Sequence, residues 1–91
     1  MLKIVASNQF KKDLKRAIKR NLNIGLLDDV VSDLSNNKKL DSKYKDHELK
    51  GEYSGFRECH IEPDWLLIYR KEMDELELFL LMTGTHSDLF E

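Results

Sequence analysis

Residues 55–84 read GFRECHIEPDWLLIYRKEMDELELFLLMTG, and the way this stretch divides decides the fold. Candidate strands lie near 55–61, 65–71 and 75–83, cut by EPD and by KEMD, both runs of turn-forming residues. Links this short join antiparallel neighbours. Within the first strand a period of two puts Phe56, Glu58 and His60 on one face and Arg57, Cys59 and Ile61 on the other, which makes Cys59 a small core residue rather than a nucleophile. A further strand is expected near 46–50, ahead of the GEYSG turn. Residues 38–45 (KKLDSKYK) have neither a helical nor an alternating period and read as a loop.

Upstream of that loop the pattern changes to helical. LKIV (2–5) reads as a short strand, and Ser7 is placed to cap a helix running through Arg20 whose stripe is Phe10, Leu14, Ala17 and Ile18. A break at Asn21 to Asn23, with Asn23 as the next cap, opens a second helix marked by Ile24, Leu27, Val30, Val31 and Leu34 that stops near Asn36-Asn37. The expected fold class is therefore α+β. An N-terminal strand and a two-helix hairpin pack on one face of a twisted, mainly antiparallel sheet of four to five strands, leaving the other face for a site. No linker or repeat divides residues 1–91, so one domain is expected.

With 41% hydrophobic and 35% charged residues, the composition excludes a wholly disordered chain. Its one cysteine excludes an internal disulfide, the N-terminus lacks a signal-peptide core, and the longest greasy run, LFLLM at 78–82, is too short to span a bilayer. A cytoplasmic setting without membrane attachment is expected. The net charge of −2 hides an asymmetry: residues 1–25 carry seven Lys/Arg against Asp13 alone, whereas the remainder holds eight basic and sixteen acidic residues. Lys11, Lys12, Lys15, Arg16, Lys19 and Arg20 crowd into ten residues of the first helix and are candidate contacts to RNA phosphates.

Three histidines stand in short polar segments: His47 in KDHELKG, His60 in FRECHIEPDW and His86 in TGTHSDLF. Imidazole exchanges protons near neutral pH. Their spacing matches neither HExxH nor a Cys/His zinc pattern, no serine occupies a GxSxG elbow, and no metal or other cofactor is expected. Metal-free RNA cleavage suits this inventory, because it needs a base for the ribose 2′-OH, an acid for the departing 5′-oxygen and a cation for the phosphorane.

Taken together and in this order, KDHELKG, FRECHIEPDWLLIYR and TGTHSDLF resemble the YafQ-type toxins of the RelE/ParE superfamily of bacterial toxin–antitoxin systems. The resemblance spans most of the chain. It implies a RelE-like fold and a ribosome-dependent endoribonuclease that cuts messenger RNA in the A site. It also implies neutralisation by a cognate antitoxin of ribbon-helix-helix type, DinJ- or RelB-like, with operator DNA bound only through that complex. The site residues it implies are His47, His60, Asp64, His86 and Phe90. Within that set His86 is assigned as the acid, His47 or His60 as the base, Asp64 as orienting or tuning an imidazole, and Phe90 as stacking on a nucleotide. Competing readings are a ParE-like gyrase inhibitor and a catalytically silent module that keeps antitoxin binding. The slightly acidic chain departs from the basic character usual in the superfamily.

Overall fold

A computed structural model describes residues 1–90. Its element order is β1 (Lys3–Ala6), α1 (Asn8–Lys19), α2 (Ile24–Ser35), β2 (His47–Glu48), β3 (Arg57–Glu62), β4 (Trp65–Glu72), β5 (Glu77–Gly84) and α3 (His86–Phe90), with single 3₁₀ turns at Ser42–Tyr44 and Gly51–Tyr53. The five strands form one sheet in the order β1-β5-β4-β3-β2. The expected α+β class and antiparallel run hold for β2 to β5, while β1 lies parallel to β5 along one edge. Among the described residues no helix is long and apolar enough to cross a membrane.

Local chemistry explains both long helices. Ser7 caps α1, its Oγ accepting the Phe10 N–H at 2.9 Å, and Asn23 caps α2 by accepting from Gly25 N–H at 3.1 Å. Both helices end on an asparagine in the left-handed region, Asn21 (φ 59°) and Asn37 (φ 55°). The Asn21 and Leu22 amides return to the carbonyls of Ile18 and Ala17, and those of Asn37 and Lys38 to Leu34 and Asp33. That pairing is the Schellman motif, which satisfies the last carbonyls of each helix.

The core lies between these helices and one face of the sheet, where Phe10, Ala17, Leu27, Val30 and Leu34 meet Cys59, Ile61, Leu67, Tyr69, Leu78 and Leu80. Cys59 is a buried core residue, as its alternation required. Ile18 departs from the expected stripe and is 55% exposed, while Asp13, one turn before Ala17, is 2% exposed. The reason is a hydrogen bond: the Asp13 carboxylate accepts the backbone N–H of Thr83 at 3.1 Å, which pins the centre of α1 to the end of β5. Two further departures concern the strands and the C-terminus. The strand expected over 46–50 shrinks to His47–Glu48, and the residues after β5 form a short helix that the sequence reading did not include.

Candidate active site on the second face of the sheet

Strand alternation and register assemble the first half of the site. His47 is the cross-strand partner of Glu58, and His60 stands two residues beyond Glu58 on the same face. Both imidazoles therefore reach one carboxylate: His47 Nε2 lies 3.5 Å and His60 Nε2 3.4 Å from Glu58 Oε1. The ring centroids are 6.4 Å apart. Each Nδ1 faces a backbone carbonyl, His47 toward Lys45 at 2.7 Å and His60 toward Pro63 at 3.2 Å. A carbonyl can only accept, so each Nδ1 is placed to donate in these contacts while each Nε2 is turned toward Glu58. Glu58, 8% exposed, is the residue that sequence reasoning missed. Its place on the His60 face was legible, but its role as the shared partner depends on the β2–β3 register.

A bulge delivers His60. The β3–β4 register slips at Ile61, between the pairs His60↔Leu66 and Glu62↔Trp65, and the chain then turns through Pro63-Asp64. Asp64 leaves that turn to accept the His86 backbone N–H at 3.2 Å. Its contact is thus with the helix that carries His86, not with an imidazole ring. Helix α3 is closed by a capping box, in which Thr85 N–H donates to Asp88 Oδ2 (2.9 Å) and Asp88 N–H donates to Thr85 Oγ1 (3.1 Å). His86 itself is exposed, and its ring lies 5.0 Å from that of Phe90, which in turn meets Tyr53 edge-on at 5.8 Å.

The structure brings His47 and His60 together and ties His86 to their turn through Asp64. The basic helix is less uniform. Arg20 donates to both Asp88 oxygens at 2.6 and 3.3 Å, and Arg16 lies 3.1 Å from Asp13 and 3.8 Å from Asp88. The Arg20 hydrogen bond, with help from Thr85 and Arg16, holds the Asp88 carboxyl well below the usual carboxylate range. Lys11, Lys12, Lys15 and Lys19 are exposed. Gly84 is where the ends meet: a Cβ there would stand 2.9 Å from both Arg16 Nη2 and Asp88 Cβ. Arg57, turned to the helix side as alternation requires, pairs with Asp46, which also accepts from the Tyr69 hydroxyl at 2.6 Å.

The family model described as bacterial toxin of type II toxin-antitoxin system, YafQ, matches residues 2–91. The chain belongs to the YafQ family of toxins. The mRNA interferase toxin YafQ of Escherichia coli K12 is 46% identical over 85 residues, covering 92% of this chain and 90% of the relative. Among solved structures, a metal-bound toxin from Helicobacter pylori is 48% identical with a TM-score of 0.94, covering 99% of this chain and all of that one. The toxin of the E. coli DinJ–YafQ complex is 41% identical with a TM-score of 0.90, both chains being covered in full. These likenesses place the architecture firmly within the YafQ fold. Among the described residues no group of three or more His, Cys, Asp or Glu side chains is arranged to hold a metal ion.

Proposed function

We propose that this YafQ-family chain is an mRNA endoribonuclease that acts on the ribosome by acid–base exchange between histidines. The observation that carries this reading is the convergence of His47 and His60 on Glu58, with Asp64 linking their turn to the helix bearing His86. In this mechanism His47 or His60 takes the ribose 2′-hydroxyl proton at Nε2, with Glu58 accepting a hydrogen bond from the protonated ring. The 2′-oxygen attacks phosphorus, the bond to the 5′-oxygen breaks, and His86 gives its proton to that leaving oxygen. A 2′,3′-cyclic phosphate and a 5′-hydroxyl result, and the histidines end with exchanged protonation states. Phe90, half-buried beside His86, offers a ring face on which a base stacks. Asp64 acts as a positioning residue through the His86 amide.

The exposed lysines of α1 supply the sequence-independent attraction to ribosomal RNA and message. A cognate antitoxin, of the kind seen with the E. coli relative, neutralises the toxin and carries the complex to operator DNA. The test is single-turnover cleavage of a defined message on programmed ribosomes. His86→Ala is expected to lower the rate by about 10²–10⁴-fold, the usual contribution of a positioned general acid. Asp64→Asn, which keeps an acceptor for the His86 amide, should retain far more activity than Asp64→Ala. Cleavage undiminished in His86→Ala would overturn the mechanism.

A further inference from the structure

A cleft of about 390 Å³ opens beside the last residues of β3, beyond its short pairing with β2 and next to the proposed catalytic face. Its floor is apolar, made by Leu26 of α2, Tyr44, Ile61 and Pro63, and its rim carries Lys43, Lys45 and His60. This volume lies within the range of pockets that enclose small organic ligands, about 300–1,000 Å³. His60 belongs to both places, since its Nε2 faces Glu58 in the candidate active site. Whatever fills the cleft therefore lies against one of the two imidazoles assigned to the 2′-hydroxyl.

We propose that this cleft binds the nucleotide adjoining the scissile phosphodiester, its base against Tyr44 and Pro63 and its phosphate between Lys43 and Lys45. Charge supports that occupant and sets its direction. Lys43 and Lys45, the chain neighbours of Tyr44, both line the cleft, with Lys43 Nζ 5.2 Å from the Tyr44 ring centroid, whereas Glu62, the one acid in the lining, stands at the β3–β4 turn. A phosphate is drawn to the lysines and kept from Glu62. An aromatic and apolar floor under a cationic rim is the arrangement that takes a base by its face and a backbone by its charge.

Lys45 couples the cleft to the catalytic ring. It adopts the left-handed conformation (φ 50°) at the end of the 3₁₀ turn, and in that conformation its carbonyl receives the His47 Nδ1–H at 2.7 Å. One residue thus presents a cation to the cleft and holds the His47 ring through its carbonyl. Lys45→Gly is the informative change, because glycine adopts this conformation freely and keeps the carbonyl while the ammonium is lost.

The inference rests on the nuclease reading above, and its test separates the two. The isotopically labelled chain is titrated with a 2′-O-methyl ApA dinucleotide, which cannot be cut, and separately with inorganic phosphate, while amide shifts are followed. Saturable shifts at Tyr44, Lys45, Ile61 and Glu62 are expected, with binding weakened about tenfold in the Lys43→Ala/Lys45→Gly double variant, since hydrogen bonds to charged groups carry that much affinity. On programmed ribosomes the same variant should raise KM by about tenfold and move kcat much less. The titration of the variant reports at the same time whether it is folded, through the dispersion of its spectrum. Shifts confined to another surface, undiminished binding by the double variant, or the full shift pattern with phosphate alone would each overturn the cleft. His86→Ala is expected to bind the dinucleotide normally; if it also cleaved normally, the nuclease mechanism would fall while the cleft stood.

Discussion

Replacing Asp13 is the sharpest test of how the α1–β5 contact holds the molecule together. Its carboxylate accepts from Thr83 N–H (3.1 Å), Gln9 Nε2 (2.8 Å) and Arg16 Nη2 (3.1 Å), and both Asp13 and Thr83 are buried. Asp13→Ala leaves the Thr83 amide without a partner in a place water does not reach, which costs about 1–3 kcal/mol. The bonds from Gln9 and Arg16 are partly solvated and each contributes under about 1 kcal/mol. Alanine's better helix propensity offsets roughly 0.5 kcal/mol. A net loss of about 2–3 kcal/mol follows, and at roughly 4–8 °C per kcal/mol for a chain of this size the thermal midpoint should fall by about 10–20 °C. Asp13→Asn keeps an oxygen at the Oδ2 position for the Thr83 amide but puts an NH2 group where Oδ1 accepts from Gln9 and Arg16, so it should cost about 1–2 kcal/mol, less than alanine. Thermal and urea unfolding of the three proteins, followed by circular dichroism, decides the matter. If alanine and asparagine are equally damaging, or alanine costs less than about 1 kcal/mol, the Thr83 amide is not what makes the burial of Asp13 worthwhile.

Two further expectations concern titration. Asp88 is held below its ordinary range chiefly by Arg20, so its contribution is present above the unfolded carboxylate value near 3.9 and is lost as pH falls below about 4 toward the folded value. The stability difference between the wild-type chain and Asp88→Asn should therefore be largest at pH 6–7, amount to about 1 kcal/mol or less because the Arg20 pair is solvated, and close toward pH 2 in urea titrations; a difference that widens in acid would refute it. Burial, reinforced by Asp46 and Glu58, pushes the Cys59 thiol up to about 12. A thiol reagent at pH 8 should label the native chain only as fast as it unfolds and the denatured chain at once, and rapid stoichiometric labelling of the native chain would contradict its placement.

Much of this architecture was legible because its causes are local. Ser7, Asn23 and the terminal asparagines mark the helices through side-chain caps and left-handed ends, which involve residues only a few positions apart. Alternation in 57–62 separated Cys59 and Ile61 from Glu58 and His60 for the same reason. What escaped depends on distant partners. The burial of Asp13 is justified only by Thr83, seventy residues away, which supplies the amide its carboxylate accepts. Glu58 joins two histidines only once β2 and β3 take their register, and Tyr53 meets Phe90 only after the chain has closed. Helix α3 is the instructive case. Its signal, Thr85 followed three residues later by Asp88, was present in the sequence, but five residues are too few to show an apolar period.

The basic helix changes meaning once these ties are traced. Six cations in ten residues suggested one continuous surface for a polyanion, yet Arg16 and Arg20 are turned to Asp13 and Asp88 and hold α3 in place. Arginine suits that task, because its planar fork meets a carboxylate with two bonds, as Arg20 meets Asp88. Lysine, a compact charge on a flexible stem, suits attraction to phosphates whose positions are not fixed in advance. The division by residue type thus matches a division of place: the two arginines position the helix that carries His86 and Phe90, and the four lysines stay exposed, free for the attraction to RNA proposed above. It also shows why whole-chain charge is a poor guide here. Asp88 lowers the net charge, but it does so while anchoring α3, the helix that carries His86, through Thr85 and Arg20.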